Sequence, residues 1–483
     1  MGKRAMDTGV LILMFLPVFI DDTGFTYLIR LKGYITMRVL LVNPAGSNVL
    51  HTVGVVFPPL GLLYVAAALR EKGHSVALFD QLVDHREPPF TGFDVVGIHC
   101  DTTRFPQVMA LAGRAKAAGA RVVLGGPHPC FDARRVFASG HVNAIVRGEG
   151  EYTMARLLEF WQDDELPGII PGLLIKQAGE IVDGGPADPI KDVDALPMPA
   201  RDLVDLGLYL KAQLGGWPLT SMHTSRGCPF QCKFCASAQL DGAVWRARSA
   251  TNVLAEMQYL VEDLGFKAIA FLDDNFAGSR ERVMQICDGI LSMGWKLRWW
   301  CFCRVDTILR YPEMIAHMAR AGCFSIFVGV ESPTAAVLES NRKGIRADEA
   351  RKAIAILNHN GIEIWASYIL GFPNETRRDL LATIRFAREL DTNTAQFTIL
   401  TPYPGTVLWD ELQDRLLYQS GKKFDAVHVT FRHPRIPPFE MQLWHLLAYI
   451  SFYLRNKKAI QGLIRFLRLR RFGLQLFTRA LGT

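Results

Sequence analysis

Cys228, Cys232 and Cys235 place three thiols within eight residues, in the stretch "GCPFQCKFC" (227–235). Spacings of four residues and then three let three thiolates converge from a single loop. Such thiolates hold iron-sulfur clusters, and a 4Fe-4S cube ligated three times keeps one iron with an open position. A closed structural zinc site needs a fourth ligand. The nearest imidazole, His223, falls five residues earlier, inside an expected strand. The alternative in another class is a non-catalytic iron-sulfur or zinc protein docked on a membrane or partner; metal and sulfide counts separate the two.

Such a loop needs a frame, and the chain supplies it in two series. From Met37 to about Trp161, short apolar runs ("RVLLV", "SVALFD", "DVVGIH", "RVVLGG", "AIVRG") alternate with helical patterns such as "LGLLYVAAALREKG", which ends on a C-capping Gly73. That alternation predicts a doubly wound, Rossmann-like parallel sheet over 37–165. Residues 166–214, rich in Pro, Gly and Asp, read as a connecting segment. Six further strand-like runs follow, from "LTSMHTS" to "AQFTIL", each separated from the next by a helical stretch. They predict a partial (β/α)6 barrel over 215–410. The cysteines follow its first strand, at the C-terminal end, where such barrels carry their chemistry.

Composition sets the outer limits. The 483 residues are 49% apolar and 21% charged, which excludes a disordered chain and allows two to four domains. Nine cysteines, an odd number and mostly isolated, argue against a secreted disulfide framework and for a reducing cytoplasm. The apolar run Val10–Ile20 contains Pro17 and is shorter than the roughly 20 residues of a membrane helix. Although Lys3 and Arg4 precede it, no small-residue cleavage site follows, and residues 1–36 read as an upstream extension.

The cysteine motif, with Phe234 before its last thiol, resembles the signature of radical S-adenosylmethionine enzymes. "FLDDNF" (271–276), "CRVD" (303–306), "GVES" (329–332), "GFPNET" (371–376) and "TPYPGT" (401–406) follow in that family's order. The resemblance implies that Cys228, Cys232 and Cys235 bind a 4Fe-4S cluster, whose open iron chelates S-adenosylmethionine and reduces it to a 5'-deoxyadenosyl radical. By motif match, Asp273, Asp274, Asn275, Arg304 and Glu331 are candidates for the nucleoside's polar groups, and Gly371 for close approach to the adenine. Asp274 and Asn275 also suit a helix cap, and Arg304 an ordinary ion pair. Cys301 and Cys303 fall on one side of a strand, a pattern that also suits packing.

"FPPLGLLYVAAALREKGHSVALFD" (57–80), "GGPHPCF" (125–131) and "VRGEGE" (146–151) resemble the cobalamin-binding domain that precedes the radical domain in one subgroup. Gly125 and Gly126, at a strand end, would let a flat ring lie on the sheet edge. The Asp-x-His-x-x-Gly pattern of other cobalamin proteins is absent, since Asp84 and His85 are adjacent. Relatives in this subgroup include hopanoid methylases and the anaerobic magnesium-protoporphyrin monomethyl ester cyclase. The resemblance thus implies C-methylation of an apolar substrate, lipid-like or tetrapyrrole, with cobalamin and a reducing electron donor. Radical oxidation or ring closure is the alternative.

After Glu440 there is no acidic residue, while eight Lys and Arg stand between Arg455 and Arg479 and account for the net charge of +7. Residues 411–483 therefore read as a helical basic tail, suited either to an anionic membrane or to packing on the barrel. With no RNA-binding module evident, no nucleic-acid partner is expected.

Overall fold

The structure, a computed structural model, describes residues 36–46, 56–209, 213–214, 217–237 and 243–455. The first sheet holds β1 (Arg38–Asn43), β2 (Ser75–Asp80), β3 (Val95–His99), β4 (Arg121–Gly125) and β5 (Ala144–Val146). They run parallel in the order β2-β1-β3-β4-β5. The runs do not alternate in polarity because both faces are covered. Leu40, Val96 and Val122 pack with the helix Phe105–Ala117 on one face; Val39, Val95 and Val123 pack with the helices Leu60–Glu71 and Gly150–Gln162 on the other. Gly73 closes the first of these helices at φ +83°, its N–H and that of His74 reaching back to Arg70 and Leu69.

The stretch 166–214, expected to be a connector, departs from that reading. It supplies β6 (Leu173–Gln177) and β7 (Glu180–Asp183), an antiparallel hairpin added to β5. The reason lies in "LLIKQAGEIVD", two short runs around a Gly179 at φ +90°, a turn signal overshadowed by the Pro and Asp that follow.

The second sheet comprises β8 (Gln213–Leu214), β9 (Trp217–Met222), β12 (Ala268–Phe271), β13 (Arg298–Phe302), β14 (Cys323–Glu331), β15 (Glu363–Leu370) and β16 (Thr394–Ile399). Their order is β16-β15-β14-β13-β12-β9-β8; all neighbours are parallel except β8 and β9, so the six expected strands form the partial barrel. Between β9 and β12 lies a two-stranded ribbon, β10 (Ser225–Arg226) against β11 (Arg246–Ala247), flanking the cysteine loop. Ser249 and Ser279 cap the helices Ala250–Gln258 and Arg280–Ser292, so Asp274 and Asn275 are not caps.

The expected basic helical tail also differs. Residues 411–437 are mostly irregular, and the helix Pro438–Tyr453 is apolar rather than basic. It covers the open edge of β16. Tyr449 Oη and Tyr453 Oη donate to the carbonyls of Phe397 and Ala395 at 3.2 and 3.0 Å, and His445 Nε2 lies 2.9 Å from the Phe397 carbonyl. Of the tail's basic residues, Arg455 is described; the others lie outside the described residues, as do residues 1–35 of the expected extension 1–36, Val10–Ile20 among them. Among the described residues no helix is long and apolar enough to cross a membrane.

Candidate functional site

A cavity of about 630 Å3 opens where the carboxyl ends of the two parallel sheets face each other. The first sheet contributes a glycine floor of Gly97, Gly125, Gly126, Gly148 and Gly150, walled by Phe57, Leu41 and Val146. At Gly126, φ is +102° and a Cβ would stand 2.7 Å from the Cys100 carbonyl oxygen, so only glycine fits there. A broad floor without side chains suits a flat macrocycle such as cobalamin. Asp84 is engaged by Arg86, His85 is exposed, and neither lines the cavity. The second domain contributes His223, Ser225, Arg226, Ser237, Leu272 and Asp274, from the ribbon, the cysteine loop and the segments just after β9 and β12. Asp274 accepts from Ser237 Oγ at 2.8 Å, and burial raises its carboxyl above the ordinary range.

The cysteine loop stands beside this wall. All three thiols are free and half-buried, and burial pushes those of Cys228 and Cys232 up. Among the described residues no three His, Cys, Asp or Glu close on a single-ion geometry. A cube ligated at three corners asks for something else, one sulfur on each of three separate irons. The Arg304 guanidinium stacks 3.4 Å from the Phe230 ring centroid within the loop and pairs with Asp306 at 2.9 Å. Glu331 ends β14 at φ +65°, past a bulge, a backbone conformation costing about 1–3 kcal/mol for a non-glycine residue. Its Oε1 accepts from Lys343 Nζ at 2.7 Å, while its Oε2 is buried without a protein partner. The Glu331 carboxylate is therefore strained and only half satisfied by protein donors, with one oxygen able to accept a further hydrogen bond.

Three motif residues stand elsewhere. Asp273 is a brace: its Oδ1 accepts from the backbone N–H of Thr224 and Ser225 at 2.5 and 2.6 Å, and its Oδ2 from Thr224 Oγ1 at 2.7 Å. Asn275 is buried off the cavity, with Oδ1 unpartnered. Gly371 sits at φ +95°, where a Cβ would meet Met441 Cε at 3.1 Å, so the helix Pro438–Tyr453 packs against this turn and favours glycine there. Cys301 and Cys303 are buried in the barrel core.

Glu375 holds the turn at Gly371. Its Oε2 accepts from the N–H of Gly371 and Phe372 at 2.6 and 2.9 Å, and its Oε1 has no partner. Burial pushes its carboxyl from an ordinary 4.5 up to about 8. The fold therefore keeps a proton that the unfolded chain has lost. This contribution to stability is complete below about pH 4.5 and disappears as pH rises through about 8. Glu375→Gln, always neutral, is expected to flatten that loss, by roughly 3–5 kcal/mol at most. Urea unfolding from about pH 5 to about pH 9 checks it; parallel wild-type and variant profiles would refute it.

The residues that join the two halves were invisible to motif reasoning. Glu149 and Glu151, from "VRGEGE", meet Arg226 at 3.0 and 2.6 Å, and Glu149 also meets Arg246 at 2.9 Å. Arg226 and Arg246 are paired across β10 and β11, so the first domain grips the root of the cysteine loop. Their clustering around the cysteines, "SRG" before and "WRAR" after, was the available signal. His99, at the end of β3, was also missed; burial, then Arg104, lowers its imidazole to about 4, so it faces the cavity neutral.

Residues 46–158 match the family model described as B12 binding domain, and residues 222–387 the Radical SAM superfamily. A Pyrococcus horikoshii protein named an uncharacterized methyltransferase is 35% identical over 444 residues, covering 88% of this chain and 95% of its own. The anaerobic magnesium-protoporphyrin IX monomethyl ester cyclase of Synechocystis sp. is 26% identical over 463 residues, covering 92% and 91%. The radical S-adenosylmethionine methyltransferase TsrM from Kitasatospora setae, solved with cobalamin and a 4Fe-4S cluster, shares the fold at a TM-score of 0.65 and 19% identity, covering 79% of this chain and 75% of its own. Two domains in this order, shared nearly end to end with a 35%-identical relative, make the chain a member of the radical S-adenosylmethionine enzymes that carry a cobalamin-binding domain.

Proposed function

We propose that this enzyme methylates a carbon of an apolar small molecule. The observation that carries this reading is the shared cavity, with its glycine floor on one side and Asp274 and Ser237, beside the cysteine loop, on the other. When bound, the cluster and cobalamin supply the radical-generating electron and the methyl group. Cys228, Cys232 and Cys235 would hold the cluster, and the Glu331 Oε2 and Asp274 would offer acceptors to the nucleoside. Arg304 keeps Phe230 in place within the loop, and Gly125 and Gly126 keep the floor clear. His99 and His223 line the cavity with imidazoles lowered first by burial, and would face the bound groups uncharged.

The net reaction takes one substrate C–H, two S-adenosylmethionine and two electrons from a reductant. It yields the C-methylated product, S-adenosylhomocysteine, methionine and 5'-deoxyadenosine. The 35%-identical relative named a methyltransferase supports it. The relative named a cyclase keeps radical oxidation or ring closure as the second reading. Nine free thiols support a reducing compartment such as the cytoplasm, and the tail's eight cations support peripheral contact with an anionic membrane.

The test is anaerobic turnover of reduced, cobalamin-loaded enzyme with lipid and tetrapyrrole extracts and methyl-labelled S-adenosylmethionine. Label in a product, with S-adenosylhomocysteine and 5'-deoxyadenosine formed in equal amounts, is expected. Formation of 5'-deoxyadenosine alone, with an unlabelled product, overturns methylation in favour of the cyclase-type reading.

A further inference from the structure

The helix Pro438–Tyr453 has a second face. While Met441, His445, Ala448, Phe452 and Tyr453 are buried, Phe439, Leu443, Leu446, Leu447, Ile450 and Leu454 are exposed by 46–69%. Steps of three or four residues, with Leu446 and Leu447 adjacent, set them in one stripe along the solvent side. Isolated exposed leucines are ordinary, but six large apolar side chains on one helix face mark a docking surface. Polar groups do not interrupt the stripe's charge balance: Glu440, the helix's only carboxylate, is paired with Arg377 and accepts from Trp444 Nε1 at 3.1 Å.

Charge selects the occupant. The chain continues from this helix into residues 455–483, with eight Lys and Arg and no Asp or Glu. Were those residues folded back over the stripe, their cations would lie on a helix whose only carboxylate, Glu440, is already paired with Arg377. A second copy placed stripe to stripe would bring two such cationic segments together. An anionic bilayer meets both needs, with acyl chains for the stripe and headgroups for the cations.

We propose that the exposed face of the helix Pro438–Tyr453 is a membrane-docking surface for anionic lipid, laying the helix flat in the bilayer interface. The inference rests on the reading of the basic tail as a membrane contact, and adds that the apolar contact is made by this helix. Because the same helix covers the edge of β16, docking would hold the barrel itself at the interface, where a greasy substrate resides.

Flotation of the full-length enzyme with vesicles tests it, using phosphatidylcholine alone and phosphatidylcholine with 30% phosphatidylglycerol (about the anionic content needed to attract a polybasic segment). Two full-length variants are compared with wild type: Leu443→Gln/Leu446→Gln/Ile450→Gln on the stripe, and Arg465→Glu/Arg468→Glu/Arg470→Glu/Arg471→Glu in the tail. All three stripe positions are exposed, so this variant should fold, as an unchanged melting profile verifies. Wild type is expected to float with the anionic vesicles, and each variant to lose at least about tenfold in partition. If only the tail variant loses binding, the tail reading stands and the helix proposal falls. If wild type never floats, both fall; a monomer then indicates a stripe covered by the tail, and a dimer broken by the stripe variant indicates a second copy.

Discussion

Replacing Cys228, Cys232 and Cys235 together by alanine should reduce reconstituted iron and sulfide from about four of each per chain to less than about one. It should also lower 5'-deoxyadenosine formation from S-adenosylmethionine by at least about a thousandfold, since without the open iron the reductive cleavage has no entry point. Cobalt content should stay within about a fifth of wild type, because the glycine floor belongs to the other sheet. The thiols are free, and burial raises Cys228 and Cys232, so no protein charge already holds them as thiolates. Iron, sulfide and cobalt counts with optical spectra check all of this. A variant that retained four irons would remove these cysteines from the cluster.

The second large effect concerns the join between the domains. Glu149 accepts from Arg226 and Arg246, and all three side chains are at most 16% exposed. Glu149→Ala removes the carboxylate shared by two buried guanidiniums, leaving Glu151 to Arg226 and the Ile190 carbonyl, at 2.7 Å, to Arg246. Removing one partner from such a buried network costs about 3–5 kcal/mol, mostly the penalty of stranded charge. The expected result is a loss of that size in unfolding free energy, with faster hydrogen exchange in 225–226 and 246–247, the ribbon that roots the cysteine loop. Arg246→Ala/Glu149→Ala should be less damaged than the sum of its single variants, by at least about 1 kcal/mol. Additivity within about 0.5 kcal/mol would show that these charges do not act as a unit.

The same network explains an uneven correspondence between sequence and structure. Apolar runs reveal strands because burial on both faces is a local demand, and "RVLLV" or "AQFTIL" meets it whatever lies elsewhere. The parallel order, the six-stranded barrel and the placing of the cysteines after its first strand were all legible for that reason. The hairpin β6–β7 was not, because its two short runs sit in a Pro- and Asp-rich stretch whose composition outweighed a single glycine turn.

Within the site, sequence identified residue types but could not assign partners. Asp273 and Asp274 are neighbours in the chain, yet one is consumed by three hydrogen bonds to Thr224 and Ser225 while the other reaches the cavity. Adjacent positions at a strand end point to opposite sides, and only the packed sheet decides which side is the site. Gly371 carried a motif, but the helix some 70 residues later fills the space beside it.

By itself, then, the sequence determined the two-domain architecture, the placing of three cysteines in one loop after the first barrel strand, and the cofactor chemistry, because spacing within one loop and periodicity within one element are short-range properties. The tertiary structure alone decided that Glu149 binds arginines 77 and 97 residues away, that His99 and His223 face one cavity, and that a helix covers β16 while leaving six apolar side chains exposed. Those outcomes depend on how distant surfaces dock, and docking is governed by desolvation and complementarity between segments that local sequence does not pair.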